Sequence, residues 1–188
     1  FVTAIGVDKT GAKHVLDFEL GSTENSGTCK RLLSNLIERG VLDADGGHLF
    51  AIDGGKALRK AIADTFGNTV QVQRCVQHKK RNVEDKLPDY KRQNFCQRFS
   101  AAYSKKTLRG AEAAFRTLMR DLERDGYKAA AKSLLEGNSE LLTLHRLKIE
   151  GTLKKSLCTT NIIESLFSNA RYQLRNVKRW RKEEQMER

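Results

Sequence analysis

The sequence predicts an α/β fold, with helices packed on a sheet and an all-helical stretch inserted before a final returning helix. Three observations predict it. Apolar alternation near the start gives way to helical spacing at Leu32, Leu33, Leu36 and Ile37. Short apolar strands then alternate with helices as far as Val76. After Pro88, the only proline, helical stripes follow one another with no strand between them.

The opening reads as a hairpin. Phe1 to Val7 is strand-like, Asp8-Lys9-Thr10-Gly11 is a turn, and Leu16, Phe18 and Leu20 alternate with Asp17 and Glu19 on the return, so one face is expected to be buried. A helix follows from about Thr28, with Gly40 as its C-terminal cap. Leu49 to Ile52 is a short buried strand; Leu58, Ala61, Ile62 and Phe66 form a helical stripe ending near Gly67; Val70 to Val76 is the next strand. In the helical stretch, Phe95, Phe99 and Ala102 make one stripe, and Ala111, Ala114, Phe115, Leu118 and Leu122 make another that stops at Gly126. Ala129–Leu135 and Leu141–Leu147 suggest two further helices. The chain then returns by a helix from Asn161 to about Lys178, with Ile163, Leu166, Phe167, Ala170 and Leu174 as its buried stripe. This divides the sequence into a first core part at 1–86, an insertion at 87–150 and a second core part at 151–188.

Charge narrows the function. The 188 residues carry a net charge of +12, which favours a polyanionic partner, nucleic acid first. No run approaches the roughly 20 apolar residues of a membrane span, and no signal peptide opens the chain, so a soluble protein of the cytoplasm is expected. Cys29, Cys75, Cys96 and Cys158 lack the spacing of a disulfide framework and are expected to be reduced thiols. The sequence opens at Phe1 inside an apolar run and not at a methionine, as a segment of a longer chain would.

Two carboxylates stand out. Leu49-Phe50-Ala51-Ile52-Asp53-Gly54-Gly55 is an apolar run ending in an acid, and Thr159-Thr160-Asn161-Ile162-Ile163-Glu164 is a capped helix start carrying another. Between them Gln73-Arg74-Cys75-Val76-Gln77-His78-Lys79-Lys80-Arg81-Asn82 reads as a strand ending in Cys-x-x-His and a basic knot. Acids at a strand end and on a late helix, surrounded by cations, suit a divalent metal held against a phosphodiester. Plainer readings stand beside this one. Asn161-x-x-Glu164 fits a capping box, and Asp-Gly after a strand is a common turn. Cys75 and His78 lack a second ligand pair for structural zinc. A P-loop would need Gly at the position of Phe50 and Ser or Thr at that of Ala57. His14, His48 and His145 stand alone and read as structural. On the last helix Arg171 and Arg175 share a face with Glu164, and Arg171 through Lys182 is densely basic with Tyr172 and Trp180 interleaved. That segment reads either as a solvated helix end or as a phosphate-contacting surface.

In combination these segments resemble the Mutator-like superfamily of DDE transposases, especially its bacterial insertion-sequence branch. The resemblance rests on Ala4-Ile5-Gly6-Val7 with the Gly11 turn, Glu38-Arg39-Gly40, Ile52-Asp53-Gly54, Gln73-Arg74-Cys75-x-x-His78-x-x-Arg81-Asn82 and Thr159-Thr160-Asn161-x-x-Glu164, in that order. It implies an RNase H-like core with a helical insertion, in which Asp53 and Glu164 are the second and third catalytic acids and ligands of Mg²⁺ or Mn²⁺. It implies DNA as substrate, cut at the element's ends and joined to target DNA, with a homo-oligomer as the working assembly. Lys79, Lys80, Arg81, Arg171, Arg175, Lys178 and Arg179 would contact the DNA backbone. Cys75 and His78 receive no chemical step; the imidazole would orient the scissile phosphate, or the pair would lock the strand end against the insertion. The family's first aspartate lies on a strand upstream of the resemblance, so no residue here occupies it, and Asp8, in the hairpin turn, does not fill the gap. The expectation is therefore a transposase segment inactive alone. The alternatives are a non-catalytic DNA-binding relative and, more weakly, an RNase H-like nuclease acting on RNA–DNA hybrids.

Overall fold

The computed structural model describes residues 2–20, 25–45, 47–173 and 175. Strands β1 (Val2–Val7) and β2 (Lys13–Glu19) form the expected antiparallel hairpin. Asp8 builds its turn: Oδ1 accepts the N–H groups of Thr10 at 2.8 Å and Ala12 at 3.0 Å, and Gly11 takes φ +88°. Contrary to expectation, neither strand buries a residue, and Val15 and Phe18 are exposed.

Helix α1 (Ser26–Glu38) starts where Asn25 Oδ1 accepts the Thr28 N–H at 2.9 Å, satisfying an end group that no helical carbonyl reaches. It buries Cys29, Leu32, Leu33 and Leu36. Strand β3 (Leu49–Ile52), helix α2 (Lys56–Phe66) and strand β4 (Gln71–Arg74) make a parallel β-α-β unit. One small core joins Cys29 and Leu33 of α1 to Ile52, Ala61, Ile62 and Val72 of that unit.

The strand expected to run to Val76 stops at Arg74, and Cys-x-x-His lies at a helix start. Cys75 makes the switch. Its N–H closes the ladder on Ile52 O at 2.7 Å, while its carbonyl accepts the Lys79 N–H at 3.0 Å and opens helix α3 (Val76–Glu84). The larger core follows, built on α3, α4 (Asp89–Tyr103), α5 (Leu108–Arg124), α6 (Lys128–Leu135) and α7 (Asn138–Leu141), with Phe95, Phe99 and Phe115 at its centre. The helix expected over Leu141–Leu147 is divided at Leu142 into α7 and α8 (Thr143–Arg146). One polar residue of β4 explains the break. Gln73 donates to Leu141 O at 2.9 Å and accepts the Leu144 N–H at 3.0 Å, so it takes over hydrogen bonds that a continuous helix would make internally.

Helix α9 (Gly151–Leu157), not anticipated from periodicity, leads to α10 (Asn161–Gln173). The stripe expected to be buried on α10 is only half-buried at Ile163, Leu166 and Phe167, and Ala170 is exposed. Leu174 lies outside the described residues. The described helix ends at Gln173, short of Lys178. No helix among the described residues is long and apolar enough to cross a membrane.

The molecule is thus mixed α/β and mostly helical, with two separate two-stranded sheets among the described residues. A mostly apolar cleft of about 880 Å³ lies between them, lined by all of β1, all of β3 and the inner face of α10. Cleft-lining side chains of the hairpin and α10, such as Ile5, Leu16, Ile163 and Phe167, are only half-buried.

Candidate active site

Asp53 follows β3 directly, exposed at the cleft mouth. Its Oδ1 accepts the Gly55 N–H at 2.8 Å, an Asx turn that fixes the carboxyl orientation and leaves Oδ2 outside the turn. The turn reading is therefore met by this side chain.

Glu164 reaches the cleft from the first turn of α10. The Thr160 carbonyl accepts the Glu164 N–H at 3.3 Å, so the helix begins one residue earlier than a box headed by Asn161 requires. The Glu164 carboxylate instead faces His78, with Oε1 3.6 Å from Nε2.

His78 is held from its other nitrogen. Nδ1 lies 3.2 Å from Cys75 Sγ and 3.2 Å from Thr160 Oγ1. Cys75 Sγ also accepts the Thr160 N–H at 3.4 Å, and the Val76 N–H donates to Cys158 O at 2.9 Å. These bonds fasten the start of α3 to the segment just before α10. The spacing of three puts Cys75 and His78 on one side of the first turn. The motif's role in the described structure is to dock the segment carrying Glu164 beside the strand end carrying Asp53, with Nε2 pointing at the acid. Thr160, which is buried, is the member of this group that the sequence marks only as part of a capped helix start.

The basic knot separates. Lys79 is 1% exposed, its ammonium donating to the carbonyls of Ser133 and Glu136 at the end of α6. Burial, aided by the nearby Arg74 charge, pulls its pKa down to about 8. In the described structure the Lys79 side chain is turned inward and ties α3 to the end of α6. Helical spacing carried the signal for this, because Lys79 lies three residues from Val76 and four from Val83, on the buried face of α3. Lys80 is half-buried and Arg81 exposed, both open to a ligand. On α10 the exposed Arg171 donates from Nε to Phe167 O at 3.3 Å, and the exposed Arg175, in a turn beyond the helix, lies 4.1 Å over the Tyr172 ring. Lys178 and Arg179 lie outside the described residues.

Asp8 also borders the cleft, but its carboxylate is engaged by Thr10, Ala12 and, at 3.0 Å, His14 Nε2, which hold it well below the usual carboxylate range. Among the described residues no three or more His, Cys, Asp or Glu side chains gather as a metal cluster. Asp53 and Glu164 are two hard oxygen donors at one cleft, which suits a magnesium-type site that draws its remaining ligands from water and substrate phosphates.

The family model for "Transposase, Mutator family" matches residues 1–188. The chain belongs to the Mutator family of transposases. It is 28% identical over 185 residues to the transposase for insertion sequence element IS905 of Lactococcus lactis, covering 98% of this chain and 45% of the relative. The transposase for IS256 in transposon Tn4001 of Staphylococcus aureus is 28% identical over 169 residues, 89% of this chain and 42% of the relative. That for IST2 of Acidithiobacillus ferrooxidans is 29% identical over 175 residues, 93% of this chain and 57% of the relative. This Mutator-family chain spans about half the length of the curated relatives it matches.

Proposed function

We propose that this chain supplies the second and third acids of a DDE-type transposase that cleaves the ends of an insertion sequence and joins them to target DNA in the bacterial cytoplasm. The observation that carries the reading is that Asp53 and Glu164, 111 residues apart in sequence, open onto one cleft, with His78 held against Glu164.

The cleft itself supports an RNase H-like core. β1 pairs only with β2 and β3 only with β4 among the described residues, so each turns one unpaired edge to its surroundings, and both line the same apolar gap. A strand laid between them would join two sheets into one mixed sheet and satisfy both edges. It would also bring its own end to the mouth where Asp53 stands, which is where the family's first aspartate belongs. Residues 87–150 form the helical insertion, anchored by Val76 and Val83 of α3, which share its core. Residues 1–86 and 151–188 make the two parts of the RNase H-like core.

Asp53 and Glu164 would hold Mg²⁺ or Mn²⁺. When bound, such ions polarise the phosphodiester and lower the pKa of the attacking water or 3′-hydroxyl. The protein's part is placement. The Asx turn fixes the Asp53 carboxyl, the Cys75–His78–Thr160 contacts fix the base of α10, and Arg81, Arg171 and Arg175 present exposed cations to the DNA backbone. A homo-oligomer would bring two element ends together.

The test is made in the full-length protein containing this chain. Asp53→Asn and Glu164→Gln should each abolish metal-dependent cleavage of element ends while leaving DNA affinity nearly unchanged, because an amide lacks the anionic oxygen that hard cations require. Normal cleavage by either variant overturns the assignment.

A further inference from the structure

A second concavity of about 460 Å³ lies next to Asp53, lined by its flanking residues Ile52 and Gly54 and by α2. Lys56, Arg59 and Lys60 of α2 line it, together with Arg74 at the end of β4. Two carboxylates, Glu136 and Glu140, share the lining, and Glu140 is already taken by Arg59 Nε at 2.6 Å. Lys60 also feels the Asp64 carboxylate one turn along α2, and among the described residues Lys56, Lys60 and Arg74 form no salt bridge within 4 Å.

Arg74 is the unusual member. Its guanidinium threads between two glycines at positive φ, Gly54 at +102° and Gly137 at +67°. A Cβ at Gly54 would come within 2.5 Å of Nε. Packing thus fixes the fork, yet its hydrogen bonds are few: Nη1 donates to Glu136 O at 3.4 Å, and Nε, though buried, has no acceptor. An unpaired buried donor on a charged group is costly, which argues that the pocket is completed by something else. The N-terminus of α2 opens on the same space. Gly55 offers no side-chain cap, and the first turn holds no acid.

We infer that this pocket is a subsite for a backbone phosphate of the DNA, bound by Lys56, Lys60 and Arg74 next to the catalytic acids. The ligand chemistry follows from the lining: a planar guanidinium fork, two ammonium groups and a helix N-terminus without a side-chain cap all favour a tetrahedral oxyanion. Because Gly54 lines this pocket while Asp53 borders the cleft, a strand whose scissile phosphate sits at Asp53 would place a neighbouring phosphate here. The inference rests on the DNA-processing reading above.

The test measures binding of an element-end duplex by the full-length protein in EDTA across a salt series, so no cleavage chemistry enters. Lys56→Gln/Lys60→Gln should flatten the slope of log affinity against log salt by about 1.8 for two lost phosphate contacts. Arg74→Lys, which keeps the charge but loses the fork, should weaken affinity at fixed salt with little change in slope. Arg171→Gln/Arg175→Gln serves as the comparison, and melting temperatures confirm that each variant folds. A slope unchanged in the Lys56/Lys60 variant but flattened in the Arg171/Arg175 variant refutes the pocket and leaves the DNA-processing reading standing. A wild-type protein with no salt-dependent affinity overturns both.

Discussion

Lys79 and His78 are sequence neighbours with opposite fates, and the difference is helical geometry. On α3 one turns inward onto the end of α6 and the other faces Glu164. For Lys79 the consequence is a pH-dependent stability. Below about pH 8 the ammonium is charged both folded and unfolded, and burying it weakens the fold. Between about 8 and the ordinary value of 10.5 the folded protein has released a proton that the unfolded chain still holds, so stability rises with pH across that window. Denaturant unfolding of the wild type and Lys79→Met on either side of the window should show the rise in the wild type alone. The same variant should bind DNA with an unchanged salt slope, whereas an exposed phosphate contact would lose about 0.9. For His78, replacement by Ala should lower cleavage by the full-length protein while leaving its DNA affinity intact, since Nε2 faces the acid and not the solvent-exposed cations. Equal cleavage by wild type and His78→Ala would reduce the motif to a structural lock.

Helix ends decide much of the middle of this chain. Thr107 Oγ1 accepts the Gly110 N–H at 3.1 Å at the start of α5, so Thr107→Ala should cost about 1 kcal/mol by thermal or denaturant unfolding. Phe115, 1% exposed and stacked edge-on to Phe99 with ring centroids 5.1 Å apart, is the contrasting case. Its truncation to Ala should cost about 3–5 kcal/mol, because the surrounding helices cannot close the cavity. α10 behaves differently from α5. Its apolar residues are half-buried over a cleft, so it is attached chiefly through its base, by the Thr160 contacts to Cys75 and His78. Hydrogen exchange should accordingly be faster along α10 than along α5.

At the scale of the whole molecule, the two sheets and the cleft between them set what the chain can do. With Asp8 at the cleft engaged by its own turn, and no cluster of three or more His, Cys, Asp or Glu side chains among the described residues, the 188-residue chain should leave supercoiled plasmid carrying element ends uncut in Mg²⁺ or Mn²⁺, yet retain DNA in low salt through its +12 charge. Cleavage by this chain that Asp53→Asn abolishes would show that another of its own acids completes the site, with Asp8, which borders the cleft, or Asp17 the first to replace.

Much of this was legible in the residues. Period two at Phe1–Val7 and Leu16–Leu20, and period 3.6 at Leu32–Ile37 and Ala111–Leu122, identify the hairpin and the main helices, because local periodicity is set by which face meets a core. Asp53 at a strand end and Glu164 near a helix start were also placed by local sequence alone. What sequence left open was decided by contacts between distant residues. Gln73 breaks a helix 68 residues away by bonding Leu141 O, Cys75 ends a strand by bonding both Ile52 and the segment before α10, and Lys79 turns inward onto α6. Arg74 packs against glycines that neither hydropathy nor spacing connects to it. The sequence by itself determined the order of elements, their periodic faces and the two acids, since these depend on residues within a few turns of one another. Only the tertiary structure decided that the acids share a cleft, that one cation of the knot is buried and that another basic pocket lies beside Asp53, because each depends on which distant backbone a side chain meets.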